Sequence, residues 1–308
     1  MGGCLGVSFV KLDRIRKYWR FRLWGLHSEL RDLNDGTTMH CWVPAQRQST
    51  VAKKVEKPVL LLIHGFGVEG MSSWEEQVPI FSKHYDLYIP DLLFFGKSFT
   101  TNSQRTEIYQ AECMYKMLDQ LHVNSGVFVV GLSYGGFVGF HMANMYPELV
   151  KKLVIVDSGI CMDPSTNDDT LKEFNASHIH EVIMSNKLQV FKKSVNRAMY
   201  KQLRFVPDFI FEGLIKVHHY NEKQRIELLD ELTIGSKNST PLPQLTKQDV
   251  LIVWGEQDRV FKLDLAHKLE KHMRGTAELV VIPECGHMPP MEKPTLFNSC
   301  LLSFLQQE

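Results

Sequence analysis

Short strand-like segments alternate with segments of helical spacing along most of this 308-residue chain. The predicted strands are residues 39–43, 59–63, 86–89, 127–130, 153–156, 250–254 and 279–282. Several of them are continuous apolar runs, which is typical of parallel strands that are buried on both faces. Repeated strand–helix pairs place helices against both faces of such a sheet. The pattern therefore predicts an α/β domain with a mostly parallel central sheet flanked by helices.

The alternation stops between residues 161 and 245, where several segments show helical spacing and none is strand-like. It resumes afterwards, which predicts a helical cap inserted into a core formed by residues 29–160 and 246–308. The large apolar residues of this cap are Leu188, Val190, Phe191, Phe205, Phe209, Ile210, Phe211, Leu214 and Ile215. They would either line a pocket for an acyl chain or form the core of the cap itself.

The first 28 residues differ from the rest of the chain, because they combine helical periodicity with a strong basic character. The basic residues are Lys11, Arg14, Arg16, Lys17, Arg20 and Arg22. The apolar stripe comprises Leu12, Ile15, Trp19, Leu23 and Leu26. Two interpretations stay open: an amphipathic helix that lies on an anionic membrane surface, or a helix that packs on the body or the cap.

The composition indicates which kinds of partner and which cellular compartment to expect. The formal net charge is zero, which gives no indication of a nucleic-acid partner. The six cysteines contain no CxxC pair, which argues against a zinc site or a disulfide framework. No run approaches the roughly 20 apolar residues of a membrane-spanning helix, and no signal-peptide pattern is present. We expect a cytoplasmic protein, with peripheral attachment to an intracellular membrane as the alternative, and we predict no protein partner.

Gly131-Leu132-Ser133-Tyr134-Gly135 is a GxSxG pentad between an apolar strand and a helical segment. This setting is the one that a nucleophile elbow requires, because the serine must sit on a sharp strand-to-helix turn. Side chains two residues before and after the serine would collide in such a turn. Gly131 and Gly135 remove those side chains. Ser133 is therefore the predicted nucleophile.

A serine hydroxyl needs a base and an acid that orients the base. His287 follows the predicted strand 279–282 directly and is the predicted base. Asp258 follows the strand 250–254 and is the predicted acid, which gives the chain order Ser, Asp, His. Glu256 and Asp157 are rival acids, since they occupy the same loop and the preceding strand end.

A further turn follows the apolar run at 59–63, with the sequence His64-Gly65-Phe66-Gly67. The backbone N–H groups of Phe66 and Tyr134 are the predicted oxyanion hole. His64 and Gly65 would then support the turn, and His64 would not transfer protons. A simple glycine turn is the alternative.

The segments HGFG at 64–67, PDLLFFGKS at 90–98, GLSYGG at 131–136, WGEQD at 254–258 and CGH at 285–287 occur in the order found in α/β-hydrolase superfamily proteins. The chain most resembles the branch that contains monoacylglycerol lipase-like esterases and carbon–carbon bond hydrolases. This resemblance implies the α/β-hydrolase fold, with the cap inserted after the sixth strand, and a Ser-His-Asp enzyme without metal or organic cofactor. Ser133 stands where epoxide hydrolases have aspartate, and Phe95 stands where relatives often have glycine.

These features predict a serine hydrolase that cleaves carboxylic esters, with hydrophobic or acylglycerol-like substrates and a role in lipid metabolism. The alternatives are a carbon–carbon bond hydrolase with the same triad, and a ligand-binding or receptor protein on a hydrolase scaffold.

Overall fold

A single mixed sheet forms the centre of the molecule in a computed structural model, which describes residues 2–45, 57–236 and 240–307. The strands of these residues are β1 (Leu26–Asp32), β2 (Thr37–Pro44), β3 (Val59–Ile63), β4 (Asp86–Pro90), β5 (Phe99–Thr100), β6 (Val127–Leu132), β7 (Val150–Val156), β8 (Asp249–Gly255) and β9 (Ala277–Ile282). The helices are α1 (Gly2–Leu23), α2 (Gly70–Ser73), α3 (Val78–Phe81), α4 (Glu107–Gln120), α5 (Tyr134–Met145), α6 (Asp168–Phe174), α7 (Ile179–Ile183), α8 (Leu188–Ala198), α9 (Asp208–His218), α10 (Glu222–Asp230), α11 (Leu263–His272), α12 (Pro289–Glu292) and α13 (Pro294–Leu305).

The strand order is β1-β2-β4-β3-β6-β7-β8-β9, and β5 pairs with β2 beside this path. All neighbours from β4 to β9 run parallel, whereas β1, β2 and β5 pair antiparallel. The carboxyl ends of the parallel strands therefore meet at one edge, where loops from different strands can combine into a site.

Apolar residues of the central strands fill both faces of the sheet. On β3, Leu61 and Ile63 pack into one core cluster, and Leu60 and Leu62 pack into the other. This follows from the alternation of side chains along a strand. Two buried faces explain why the strand is apolar throughout its length, and the predicted α/β architecture is confirmed.

The cap region contains α6 to α10 and lies between β7 and β8. The insertion follows the sixth strand when the two-residue β5 is left out of the count. No strand occurs between β7 and β8 in the described part of the cap.

Two predicted elements differ from the structure. The sequence predicts one helix over residues 73–82, whereas the structure has two short helices, α2 and α3, because Pro79 lacks an N–H and fits only in a first helical turn. The predicted N-terminal segment 1–28 ends inside β1, because Leu26 begins that strand. The antiparallel pairing of β1 with β2 extends the sheet at this edge.

Helix α1 packs across cap helix α9. A Cβ on Gly6 would lie 1.8 Å from the Phe209 carbonyl oxygen, and a Cβ on Gly213 would lie 2.4 Å from the Gly6 backbone. Only glycine at both positions allows the two backbones to approach this closely. The N-terminal helix therefore packs on the cap, and its attachment to a membrane stays a prediction.

Candidate active site

Ser133 lies at the junction of β6 and α5 in a strained backbone conformation, with φ 52° and ψ −117°. A positive φ is uncommon for a residue with a Cβ and is typical of functional turns. Two hydrogen bonds, one to β7 and one to the loop that follows it, stabilise this strained conformation. The Ser133 N–H donates to the Val156 carbonyl at 2.8 Å, and the Ser158 hydroxyl donates to the Ser133 carbonyl at 2.7 Å.

The glycines around the serine occupy positions that have no room for a side chain. A Cβ on Gly131 would lie 2.3 Å from the Gly135 carbonyl oxygen, and a Cβ on Gly135 would lie 2.5 Å from the carbonyl oxygens of Ile63 and His64. Gly136 is equally restricted, because its Cβ would lie 2.5 Å from that of Ser158. The elbow therefore requires three glycines, and the pentad contains only two of them.

His287 connects the serine to an aspartate. The Ser133 hydroxyl is 2.9 Å from His287 Nε2, and His287 Nδ1 is 2.7 Å from Asp258 Oδ2. The other Asp258 oxygen accepts from the N–H groups of Val260 and Phe261 at 2.7 and 3.1 Å. All Asp258 oxygens thus have donors, so the carboxylate can fix the imidazole tautomer and stabilise an imidazolium.

Asp157, the rival acid at the end of β7, is fully buried beside this triad. Its Oδ1 accepts from the Gly255 N–H at 2.9 Å, whereas its Oδ2 has no partner among the described residues. Burial, reinforced by the charge of Asp258, raises the pKa of Asp157 well above its ordinary value. A proton on Asp157 Oδ2 would make this oxygen a donor toward the nearby Asp258 carboxylate. Glu256, the other rival, is exposed and makes no bond to His287.

The predicted oxyanion hole consists of two backbone amides beside Ser133. The N–H groups of Phe66 and Tyr134 have no acceptor among the residues that the structure describes. Tyr134 opens α5, so the positive end of the helix dipole adds to its N–H. Gly65 packs against the nucleophile, since a Cβ there would lie 3.2 Å from Ser133 Cβ. Phe66 and Tyr134 are 5.9 Å apart between ring centroids.

His64 has no spare nitrogen for proton transfer. Its Nδ1–H donates to the Gly65 carbonyl at 2.8 Å, and its Nε2 accepts from the Leu92 N–H at 2.9 Å. Burial lowers the pKa of His64 to about 4, so the ring is neutral at physiological pH. The bond to Gly65 lies within the turn at 64–67, and the bond to Leu92 connects this turn to the loop after β4.

The cap supplies a wall of the site that includes His218, which the sequence did not indicate. His218, at the end of α9, lies over the turn at 64–67. Its Nε2 is 3.0 Å from the position of a Cβ on Gly67, and its Nδ1 has no partner among the described residues. Its ring lies between Phe66 and Phe191, with centroid distances of 6.4 and 5.8 Å. Burial lowers the pKa of His218 to about 3.

Arg225, from α10, fixes another wall. Its guanidinium carbon lies 4.2 Å from the centroid of Phe95, the residue that departs from the family pattern. Its Nε donates to the Phe94 carbonyl at 2.9 Å, and one terminal nitrogen donates to the His218 carbonyl at 2.8 Å. Nothing local in the sequence marks Arg225, because its contacts depend on how the cap folds over the core.

The cap is also hydrogen-bonded to the loop that carries His287. The His287 N–H donates to the Ala198 carbonyl at 2.7 Å. Glu292 accepts from the N–H groups of Gly286 and Tyr200 at 3.0 and 2.7 Å. Both interactions join the end of α8 to the loop at 285–287, so the position of His287 depends on the cap.

One group of acidic and histidine side chains in the described residues has the proximity that a metal ion needs. It comprises Asp157, Asp258 and His287, whose candidate ligand atoms lie within 4.8 Å of one another. His287 and Asp258 already bond to each other there. The expected absence of metals and cofactors stays a prediction.

A family profile described as the alpha/beta hydrolase fold matches residues 58–180, which include the elbow and the turn at 64–67. The chain has the α/β-hydrolase fold and resembles the proteins of the α/β-hydrolase superfamily. Mouse (Mus musculus) epoxide hydrolase 4 is 22% identical over 92% of the chain and 80% of its own length. Lipase 1 of Psychrobacter immobilis is 28% identical over 76% of the chain and 72% of its own length.

A solved structure within the superfamily has the same fold. The 2-hydroxy-6-oxo-6-phenylhexa-2,4-dienoate hydrolase of Rhodococcus sp. strain RHA1 superposes with a TM-score of 0.71 at 22% identity. The match covers 92% of this chain and 98% of that one. Relatives of this α/β hydrolase therefore act on different bonds, and resemblance alone does not select the substrate.

No helix among the described residues has the length and hydropathy needed to cross a membrane. The cytoplasmic location stays a prediction.

Proposed function

We propose that this α/β hydrolase is a serine esterase that cleaves carboxylic esters of hydrophobic, lipid-like compounds through an acyl-enzyme on Ser133. One observation carries the proposal: the hydrogen-bonded chain from Ser133 through His287 to Asp258, with the serine at a strained elbow. A nucleophile, a base and an orienting acid within bonding distance meet the geometric requirement for acyl transfer.

Acylation begins with the hydroxyl of Ser133 attacking the ester carbonyl carbon while His287 Nε2 takes its proton. The tetrahedral oxyanion then accepts from the N–H groups of Phe66 and Tyr134, each of which contributes about 3–4 kcal/mol in comparable sites. The imidazolium, stabilised by Asp258, protonates the leaving alkoxide oxygen. The carbon–oxygen bond to the alcohol breaks, and the acyl group stays on Ser133.

Deacylation repeats these steps with water. His287 takes one proton from the water molecule, whose oxygen attacks the acyl carbon. The second oxyanion occupies the same amides and collapses, and the proton on His287 returns to Ser133. One ester and one water molecule give one acid and one alcohol, and the enzyme is restored.

The walls of the site favour an apolar substrate. Aromatic side chains cluster at the turn and the elbow, and each of them is buried or half-buried. They are Phe66 of the turn, Tyr134 of the elbow, and the nearby Phe95 and Phe191. The other cap residues named from the sequence differ in their exposure to solvent. Phe211 is buried, whereas Phe205 is almost fully exposed. Aromatic walls suit an acyl chain or another hydrophobic ester group.

Two other reactions occur among the relatives. Epoxide opening through an alkyl-enzyme is disfavoured by Ser133, because that chemistry uses a carboxylate nucleophile at the elbow. Carbon–carbon bond hydrolysis uses the same triad and is the second candidate, supported by the similarity to the Rhodococcus hydrolase.

The test compares four substrates with the purified protein: 4-nitrophenyl butyrate, a monoacylglycerol, a 2-hydroxy-6-oxo-dienoate ring-fission product and stilbene oxide. We expect turnover of the two esters, and a loss on the order of 10⁶-fold in Ser133→Ala. Turnover of the dienoate alone would assign the carbon–carbon reaction instead. No turnover of any ester by a folded protein would contradict the proposal.

A further inference from the structure

The outward face of α1 is apolar. Its residues on this face are Phe9, Leu12, Ile15, Trp19 and Leu23. Leu12 is 66%, Trp19 61% and Leu23 82% exposed, although residues of this type are normally buried. At 3.6 residues per turn, these positions form one continuous stripe along the helix. A stripe of this size on a water-soluble surface indicates an interaction site.

Basic side chains of the same helix point toward the protein. Arg14 lies 2.7 Å from Glu69, Arg16 lies 2.5 Å from Glu75, and Arg20 also pairs with Glu75. The helix is therefore oriented with its charged side on the body and its apolar stripe outward. This is the reverse of the usual burial of an amphipathic helix in a globular protein.

Two other basic residues border the stripe. Lys11 and Arg22 are exposed, and no carboxylate of the described residues pairs with them. The one acid of α1, Asp13, is already bonded to Arg16 and Lys17 at 2.8 and 2.7 Å. The border of the stripe is thus positive. Two copies meeting through this face would bring like charges together, whereas an anionic surface would complement them.

We propose that the apolar stripe of α1 inserts into the interface of an anionic phospholipid membrane, with Lys11 and Arg22 against the lipid headgroups. Apolar side chains with a flanking tryptophan and basic residues are the features that hold a helix in the membrane plane. This docking does not depend on the proposed esterase reaction.

The docked helix is joined to the active site in two places. Arg14 binds Glu69, which lies two residues after Gly67 in the loop that follows the oxyanion turn. Gly6 packs on α9, which ends at His218 over the same turn. A membrane under α1 would therefore lie next to the cap that covers Ser133, so that a lipid-like ester could pass directly between them.

The experiment measures cosedimentation of the full chain with vesicles of phosphatidylcholine and phosphatidylserine in equal parts, and with vesicles of phosphatidylcholine alone. We expect binding to the anionic vesicles that decreases with added salt. Leu12→Ser with Trp19→Ser should weaken that binding on the order of tenfold or more. Lys11→Glu with Arg22→Glu should remove the preference for phosphatidylserine.

Leu296→Ser is the matched control, because Leu296 is a similarly exposed leucine on α13 and should leave binding unchanged. Hydrolysis of 4-nitrophenyl butyrate and circular dichroism report whether each variant is folded. A wild-type protein that stays in the supernatant, or a Leu12/Trp19 variant that binds as well as wild type, would overturn the proposal. A concentration-dependent dimer that Trp19→Ser dissociates, without vesicle binding, would assign the face to a second copy of the chain.

Discussion

At the scale of single residues, two buried carboxylates lie beside His287 and differ in their hydrogen bonds. Asp258 accepts from His287 and from two backbone amides, whereas Asp157 accepts from one amide and has a pKa raised by burial. A buried carboxyl group with few donors is stabilised in its protonated form, and only an acceptor bonded to the imidazole can fix its tautomer. We propose the orienting role for Asp258 on the basis of this contrast.

The assignment predicts different effects of the same substitution at the two positions. Asp258→Asn should lower kcat for an ester by about 10³- to 10⁴-fold, because an amide favours the wrong imidazole tautomer. Asp157→Asn should change kcat only a few-fold, since asparagine still accepts from Gly255 and resembles the neutral acid. Steady-state kinetics of both variants checks this. A larger loss in Asp157→Asn than in Asp258→Asn would show that the acids are assigned the wrong way round.

At the scale of secondary-structure elements, the crossing of α1 and α9 depends on Gly6 and Gly213. Gly213→Val should separate the helices, because even a Cβ at this position would lie 2.4 Å from the Gly6 backbone. We expect a loss of about 1–3 kcal/mol in the free energy of unfolding and faster tryptic cleavage in α1. Lys216→Ala, on an exposed position of α9, is the control and should change neither.

Unchanged tryptic cleavage of Gly213→Val would mean that α1 does not depend on this crossing.

How far the sequence predicts each element depends on whether its signal is local. The buried parallel strands and the turns bearing Ser133 and His287 could be predicted, because apolar runs and glycine spacing mark them directly. Strand β1 could not, since it is a partly buried edge strand with a half-polar sequence and Leu26 also fits the helical stripe. The orientation of α1 and the contacts of Arg225, His218 and Glu292 arise only from tertiary packing, which no local pattern encodes.

At the scale of the whole molecule, two buried histidines connect stability to pH. The folded-state pKa is about 4 for His64 and about 3 for His218, and burial is the main cause for both. Their ordinary value is 6.5, so the unfolded chain binds protons that the folded chain excludes as the pH falls below it. Their contribution to the free energy of unfolding is therefore fully present above pH 6.5. It is lost as the pH falls from 6.5 toward the folded-state pKa values.

We therefore expect the free energy of unfolding to fall by on the order of 1.4 kcal/mol per pH unit for each histidine between about pH 6 and about pH 5. Urea unfolding across this interval checks the slope. His218→Gln should reduce the slope by the contribution of one proton, whatever its effect on absolute stability. An equal slope in wild type and variant would mean that His218 is protonated in the folded protein.

Mass-spectrometric mapping of the adduct formed with a fluorophosphonate probe identifies the nucleophile of the enzyme. The hydrogen bond of 2.9 Å between Ser133 and His287 predicts one adduct, on the peptide that contains Ser133, and none in Ser133→Ala. His287→Ala should label far more slowly, because the hydroxyl then has no base. Labelling at another residue, or undiminished labelling of the Ser133→Ala protein, would contradict the assignment of the nucleophile.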